Sequence, residues 1–313
     1  MVFPKDKQIP PQFNHPTKLP ETALMAQDWQ EANRSFWESF PMRYDWNDKN
    51  ELEPFSKEFY RKIDSTFFNA SEEFFPVRKL PFDSLIPFDD LNHFNTLEIG
   101  IGNGSHAQLL ASHSASFTGI DLTESAVLST QKRLSIYGLK GTIIQMDAEN
   151  LDFSGETFDF IWSWGVIHHS SDTERILAEV HRVLKTGGGA TLMVYHRGWW
   201  NYYLLGAISL LKNIKSRKLQ SLHSMIQQRT DGGLARYYKV SEFKNILEKN
   251  FRVRNIFTIG PKSDVIALPR GILKEIVRKI LPSLLSIFLT KQLRMGSFLV
   301  VEVEKIDSEQ PQF

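Results

Sequence analysis

The sequence predicts an α/β protein built on a doubly wound, mostly parallel sheet. Three observations carry this. Between residues 94 and 195, short apolar runs alternate with helical stretches of 10–15 residues, the pattern of βαβ units. A glycine-rich turn, Gly100-Ile101-Gly102-Asn103-Gly104, stands after the first run. Acidic residues, Asp121 and Asp147, stand after the next two. Ligands of such sheets bind at the carboxyl ends of the strands, so these positions carry the functional information.

The elements follow in order. In residues 1–90, Pro4, Pro10, Pro11, Pro16 and Pro20 favour an extended arm. From Glu21 to Ser39 the apolar spacing turns helical, with Trp29, Phe36, Trp37 and Phe40 available for one face, and a second helix is expected over Phe55 to Phe68. Within 91–196, strands are predicted at Phe94–Ile99, Ser116–Ile120, Thr142–Met146, Phe158–Trp162 and Ala190–Tyr195, with helices from Ser105 and over Thr123–Tyr137. Ser171-Asp172-Thr173-Glu174 reads as a capping box with Ser171 as the cap. The helix it opens aligns Ile176, Leu177, Val180, Val183 and Leu184, and Gly187-Gly188-Gly189 stops it. In 197–296 a helix over Ser241–Asn250 precedes a sixth strand near Phe251–Thr258. The last strand, Ser297–Val303, and a tail fill 297–313.

Composition bounds the function. The chain has 313 residues, 42% hydrophobic and 23% charged, enough to bury a core. Lys+Arg is 37 against 36 for Asp+Glu, a net +1 that argues against bulk nucleic-acid binding. Without cysteine there are no disulfides, Cys-ligated zinc, iron–sulfur clusters or thiol nucleophiles. The start, Met1-Val2-Phe3-Pro4-Lys5, has no apolar secretory region, and the longest apolar stretches, Trp199–Leu211 and Ile280–Leu289, fall short of the ~20 residues that span a bilayer. A cytoplasmic protein, with a membrane-associated one as the variant, is the expectation.

Each strand end has a bland and a sharp reading. The glycines at 100, 102 and 104 let backbone approach a ligand, but Ser105 stands where a dinucleotide fingerprint has its third glycine. Asp121 lies about 20 residues on, where an acid accepts ribose hydroxyls; the bland alternative is a solvated helix cap. Asp147 can accept an amino group. Glu98, on a buried strand, is costly unless something holds it.

Together these residues resemble the class I S-adenosylmethionine-dependent methyltransferases, the broad group of the ubiquinone and menaquinone methylases. The matching runs are Leu97-Glu98-Ile99-Gly100-Ile101-Gly102-Asn103-Gly104, Gly119-Ile120-Asp121, Asp147-Ala148-Glu149-Asn150-Leu151, Phe158-Asp159-Phe160-Ile161-Trp162-Ser163-Trp164-Gly165-Val166-Ile167-His168-His169 and Arg182-Val183-Leu184-Lys185-Thr186-Gly187-Gly188. Thr186 departs from the proline usual there. The resemblance implies a Rossmann-like seven-stranded sheet with a final antiparallel strand, plus an N-terminal helical extension and helical insertions. It implies S-adenosylmethionine as cofactor, with Glu98, Gly100, Gly102, Asp121, Leu122, Asp147, Ala148 and Trp164 as its binding residues. On that reading 1–90 is an arm and helical lid carrying Trp37, Phe40, Tyr44 and Trp46, the alternative for these aromatics being ordinary core packing of an N-terminal helix, 91–196 the cofactor-binding core, and 197–296 the acceptor-recognition region.

The implied reaction is in-line attack on a sulfonium methyl group, for which positioning in a dry site does most of the work. A base is needed only for a protonated acceptor. His168 and His169 after the fourth strand are the catalytic candidates, with Tyr195-His196-Arg197 after the fifth as alternatives. No spacing supports a metal site. The alternatives are a nicotinamide-dependent oxidoreductase, which has little use for Asp147, and a non-catalytic partner protein, which would usually have lost the glycine turn or Asp121.

Two basic, apolar segments stand apart. Residues 197–220 and 270–294 each carry a net +5, so the rest of the chain is strongly acidic. Pro282 divides the second into two helices. Such helices suit an anionic membrane surface or a lipid-like acceptor. The bland reading is a roof over the acceptor pocket or a dimer contact. A small or lipid-like acceptor is expected, and nucleic acid is not.

Overall fold

The computed structural model describes residues 9–306 except 15, 43–51, 76–78, 214–220, 229 and 270. Pro4 of the expected arm, Tyr44 and Trp46 of the expected lid, and Lys215, Arg217, Lys218 and Arg270 of the basic segments lie outside the described residues.

Two helices precede the sheet. Thr22 accepts from Met25 N at 3.2 Å and starts α1 (Ala23–Ser39); Ser56 accepts from Phe59 N at 3.1 Å and starts α2 (Lys57–Ser71). The alternating core then runs β1 (Asn95–Ile99), α3 (Ser105–Ala111), β2 (Ser116–Asp121), α4 (Glu124–Ile136), β3 (Thr142–Gln145), β4 (Phe158–Trp164), α5 (Thr173–Val183) and β5 (Leu184–His196). After it come a π-helical segment (Trp199–Leu205), α6 (Gly206–Asn213), α7 (Leu222–Gln227), β6 (Tyr237–Tyr238), α8 (Val240–Leu247), β7 (Arg252–Ile259), α9 (Ile272–Ile280), α10 (Ser283–Lys291) and β8 (Phe298–Glu304).

The strand order is β3-β2-β1-β4-β5-β8-β7. β1 to β5 are mutually parallel, and β8 lies antiparallel between β5 and β7, the expected seven-stranded arrangement. The eighth strand, β6, was not foreseen. It pairs Tyr195 and His196 of β5 past the point where β4 ends at Trp164. Alternate residues of each central strand feed opposite layers: Ile161, Leu192 and Val301 enter one core, and Trp162, Met193 and Val300 the other.

Two local expectations are corrected. The cap of α5 is Asp172, which accepts from Arg175 N at 3.2 Å, and not Ser171. Ser171 Oγ instead donates to both oxygens of Glu149, at 2.7 and 2.8 Å, because that buried carboxylate needs donors. The helix also ends before the three glycines. Leu184 is already extended, opposite Phe158, and the β4–β5 register shifts between Phe158 and Phe160. The glycines thus lie within an irregular strand. Pro282 does separate α9 from α10.

Candidate active site

The site is assembled at the carboxyl edge of β1, β2 and β3. The turn after β1 depends on glycine. Gly100 has φ +80°, and a Cβ there would lie 2.2 Å from Val166 Cγ2. Gly102, at φ +51°, has nothing within 4 Å of the same position, so its backbone faces open space. The turn is held from behind by Arg133 of α4, which is fully buried. Its Nη1 donates to the Asn103 carbonyl at 3.1 Å, its Nε to Gln108 Oε1 at 2.9 Å, and its Nη2 pairs with Asp64 of α2.

Three carboxylates stand at this strand edge. Asp121 Oδ2 accepts from Gly102 N at 3.1 Å, and Oδ1 from Thr123 N and Oγ1 at 3.0 and 2.8 Å. Burial pushes its pKa up, and those hydrogen bonds oppose the rise. Glu98 is 2% exposed, and its Oε2 has no hydrogen-bond partner. Burial first, then the charge of Asp121, drive its carboxyl well above the usual range, while Arg133 opposes them. His106 Nδ1 lies 3.9 Å from Glu98 Oε1 but supplies no charge, since burial and then Arg133 push its pKa down to about 3. Asp147 Oδ1 accepts from Gln30 Nε2 and from Glu149 N, both at 2.8 Å, leaving Oδ2 to a ligand.

These groups open on a cavity of about 740 Å³. Glu98, Gly100, Gly102, Asp121, Leu122, Asp147, Ala148 and Trp164 are all on its wall. The α1 helix closes one side with Gln30, Asn33 and Trp37, and Asn33 Nδ2 donates to the His169 carbonyl. Phe40 packs on Phe36 and is not on the wall. Among the described wall residues are five carboxylates, those of Glu98, Asp121, Asp147, Asp231 and Asp264, and no lysine or arginine. Much of the remaining wall is aromatic, including Phe59, Phe67, Phe74 and Phe298. A compact cation beside a nucleoside fits this wall: the orphaned Glu98 oxygen suits an ammonium, and aromatic faces suit a sulfonium.

The histidines separate. His169 is on the wall, with Nδ1 2.5 Å from the Leu234 carbonyl; because a carbonyl only accepts, the proton of neutral His169 is on Nδ1 and the lone pair on Nε2. His168 is fully buried and off the wall, its ring 4.1 Å from that of His169 and 4.0 Å from that of Tyr195. Burial holds its pKa well below the ordinary histidine value. Of the alternatives after β5, Tyr195 reaches the wall, whereas His196 is buried with Nδ1 2.8 Å from the Gly296 carbonyl and Arg197 pairs with Glu242. The sequence reading missed Asp231. It accepts from the Tyr195 hydroxyl and stands on the wall beside Thr230 and Tyr237. The available signal was the turn Thr230-Asp231-Gly232-Gly233.

Comparison with known proteins places this geometry. Residues 96–188 match a protein family described as methyltransferase domain. Over 94 residues the chain is 42% identical to the phthiotriol/phenolphthiotriol dimycocerosates methyltransferase of Mycobacterium leprae (strain TN), covering 29% of this chain and 34% of that protein. It is 32% identical over 99 residues to the phosphatidylethanolamine N-methyltransferase of Cereibacter sphaeroides, covering 31% and 48%. It is 29% identical over 174 residues to the ubiquinone biosynthesis O-methyltransferase of Bartonella quintana (strain Toulouse), covering 53% and 62%. The matched region thus spans about a third to three fifths of these relatives. Among solved structures, a chain from the complex of the Haloferax volcanii Trm112 methyltransferase activator with a methyltransferase aligns with TM-score 0.50 and 14% identity, covering 81% of this chain and 97% of that one, which speaks for the fold.

Proposed function

We propose that this chain, whose residues 96–188 match the methyltransferase-domain family, is a class I methyltransferase that uses S-adenosylmethionine to methylate an O, N or C atom of a lipid-like acceptor. The observation that carries this reading is the cavity at the strand ends, with five carboxylates and no lysine or arginine on its described wall. Bound S-adenosylmethionine supplies a sulfonium-activated methyl group. Glu98 Oε2 receives the ligand's ammonium, which compensates the charge that burial disfavours. Asp121 Oδ2 holds the Gly102 amide in place and keeps one lone pair for a ribose hydroxyl, the Thr123 donors filling Oδ1. Asp147 Oδ2 accepts the ring amino group, oriented by the two bonds on Oδ1. Trp164, stacked on Trp162, and Trp37 keep water from the transfer path.

At the acceptor end, Asp231 is the group that takes a proton from a hydroxyl acceptor, Tyr195 orients it, and His169, whose Nε2 is buried, shapes the wall beside it. His168, stacked behind His169, positions its ring. The lipid-like class is supported by the aromatic wall and by the printed acceptors of relatives, phthiotriol dimycocerosates and phosphatidylethanolamine. A nicotinamide dinucleotide brings a pyrophosphate, which the carboxylates of the described wall, with no lysine or arginine among its residues, repel. Titration calorimetry with S-adenosylhomocysteine and with NADH separates the two. Binding of the thioether product alone is expected; binding of NADH alone rejects the methyl-transfer reading. Incubating the loaded enzyme with labelled methyl donor and a lipid extract then tests the acceptor, with label expected in the organic phase.

A further inference from the structure

Most of the large apolar side chains exposed among the described residues fall in two segments, 199–208 and 272–293. Nothing in the methyl-transfer site uses them. The α9 helix has no buried residue at all. Ile272 is 83% exposed, Ile276 51% and Ile280 72%, a spacing of four that makes one apolar stripe. Across Pro282 the stripe continues through Leu284, 80% exposed, and Phe288, 51%. Trp199, 51% exposed, joins it, since its Nε1 donates to the Leu293 carbonyl at 2.8 Å and leaves an apolar ring at the surface. A folded chain does not usually leave this much aliphatic surface in water.

Charge identifies what covers the stripe. Exposed Lys279 and Arg294 flank it in the chain, exposed Lys291 lies over the Phe257 ring, and the one acid of the hairpin, Glu275, is bound to Arg278. Residues 270–294 carry a net +5 within a chain of net +1. A second copy of the chain would bring the same positive border and be repelled, whereas a surface of negative headgroups complements it. Both helices have nine residues, too short to cross a bilayer and suited to lying in its interface. The hairpin is also fixed to the cavity. Lys262 Nζ donates to the Leu281 carbonyl at 2.7 Å, Arg278 pairs with Glu73, and the same turn places Pro261, Ser263 and Asp264 on the cavity wall.

We infer that the α9–α10 hairpin and Trp199 form a docking surface for an anionic lipid bilayer, which brings the cavity wall to the headgroup layer. The inference stands on this surface and does not depend on the methyl-transfer reading.

The test is flotation of the full chain with phosphatidylcholine vesicles, with and without about 30% phosphatidylglycerol, at about 50 and about 300 mM salt. Binding to the anionic vesicles is expected, at least tenfold weaker at high salt or without phosphatidylglycerol. The Ile276→Glu/Leu284→Glu variant is expected to lose binding at least tenfold, and Lys279→Glu/Arg294→Glu about fivefold or more per residue. Both should keep the parent melting temperature and affinity for S-adenosylhomocysteine, so failure here is separable from failure of the cofactor reading. No binding to anionic vesicles at low salt overturns the proposal, as does equal binding by the Glu variants. A dimer in sedimentation equilibrium that Ile276→Glu/Leu284→Glu dissolves overturns it too, by assigning the face to a second copy.

Discussion

Gln30 Nε2 donates a 2.8 Å hydrogen bond to Oδ1 of Asp147, tying the first helix to the loop after the third strand. The same side chain also holds the start of α5, where Gln30 Oε1 accepts from Ser171 N at 3.3 Å. One amide thus joins Asp147 and the start of α5 at one edge of the cavity, and α1 is fastened to the core at this point. Removing it frees this side of α1 and loosens the aim of Asp147. For Gln30→Ala, a charge-assisted hydrogen bond worth about 1.5–3 kcal/mol is lost, partly regained from water. The affinity for S-adenosylhomocysteine should weaken about tenfold, with faster dissociation in stopped-flow measurements. Unchanged dissociation would detach α1 from cofactor retention.

Asp121 has a different exposure to substitution, since both its oxygens already accept protein donors. Asparagine offers one acceptor oxygen and turns two donors toward either Gly102 N or the Thr123 pair. Asp121→Asn should therefore cost about 1–3 kcal/mol of stability and weaken S-adenosylhomocysteine at least tenfold. Calorimetry and urea denaturation of the same preparations check both arms.

At the other end of the cavity, Asp231 meets Tyr195 and no part of the glycine turn. If it serves proton transfer from a hydroxyl acceptor, Asp231→Asn lowers kcat by about 10²-fold, the usual scale for general-base catalysis. The affinity for S-adenosylhomocysteine should stay within about twofold, because the two groups do different work. Equal loss in both measurements would instead make Asp231 a structural contact.

Asp264 gives a pH signature. Burial first raises its pKa from 3.8 to about 6, against the Ser297 hydrogen bonds. A carboxyl raised on folding binds more protons in the folded state, so its stabilisation is present below its unfolded pKa and is lost as pH rises through about 6. Relative to Asp264→Asn, which keeps an acceptor for Ser297 N, the parent should lose about 3 kcal/mol between acid and neutral pH. Urea denaturation of both chains at each end of that range checks the sign. Parallel pH profiles would remove Asp264 as the cause.

The sheet was legible because its signals are local. Apolar runs such as Phe158–Trp162 and the glycine turn stand in chain order, and each strand end falls where the parallel register requires. What was hidden depends on partners distant in sequence. Ser171 has a good capping sequence, but Glu149, 22 residues away, takes its hydroxyl and leaves the cap to Asp172. His168 and His169 look equivalent in sequence, yet the 3-10 turn Ile167–His169 puts one in the core and the other on the cavity wall. Asp231 has only the weak local signal of its Asp-Gly-Gly turn. What sets it in the site is Tyr195, 36 residues earlier, which donates to it.

The glycine turn permits the sharpest separation of folding from binding. Gly100 and Gly102 both lie at positive φ, so an alanine at either is strained by about 1 kcal/mol. Their surroundings differ. The new methyl of Gly100→Ala would lie 2.2 Å from Val166 Cγ2, inside the packed turn, so Val166 or the backbone must move. Overpacking of that kind adds about 1–3 kcal/mol. The methyl of Gly102→Ala meets nothing within 4 Å and stands on the wall of the cavity. Gly102→Ala should therefore lose only about 1 kcal/mol of stability yet bind S-adenosylhomocysteine at least tenfold more weakly, because the methyl takes ligand space. Gly100→Ala should lose several times more stability in urea denaturation. If Gly102→Ala binds like the parent, the ligand does not lie against this turn, and the cofactor assignment of the whole strand edge falls with it.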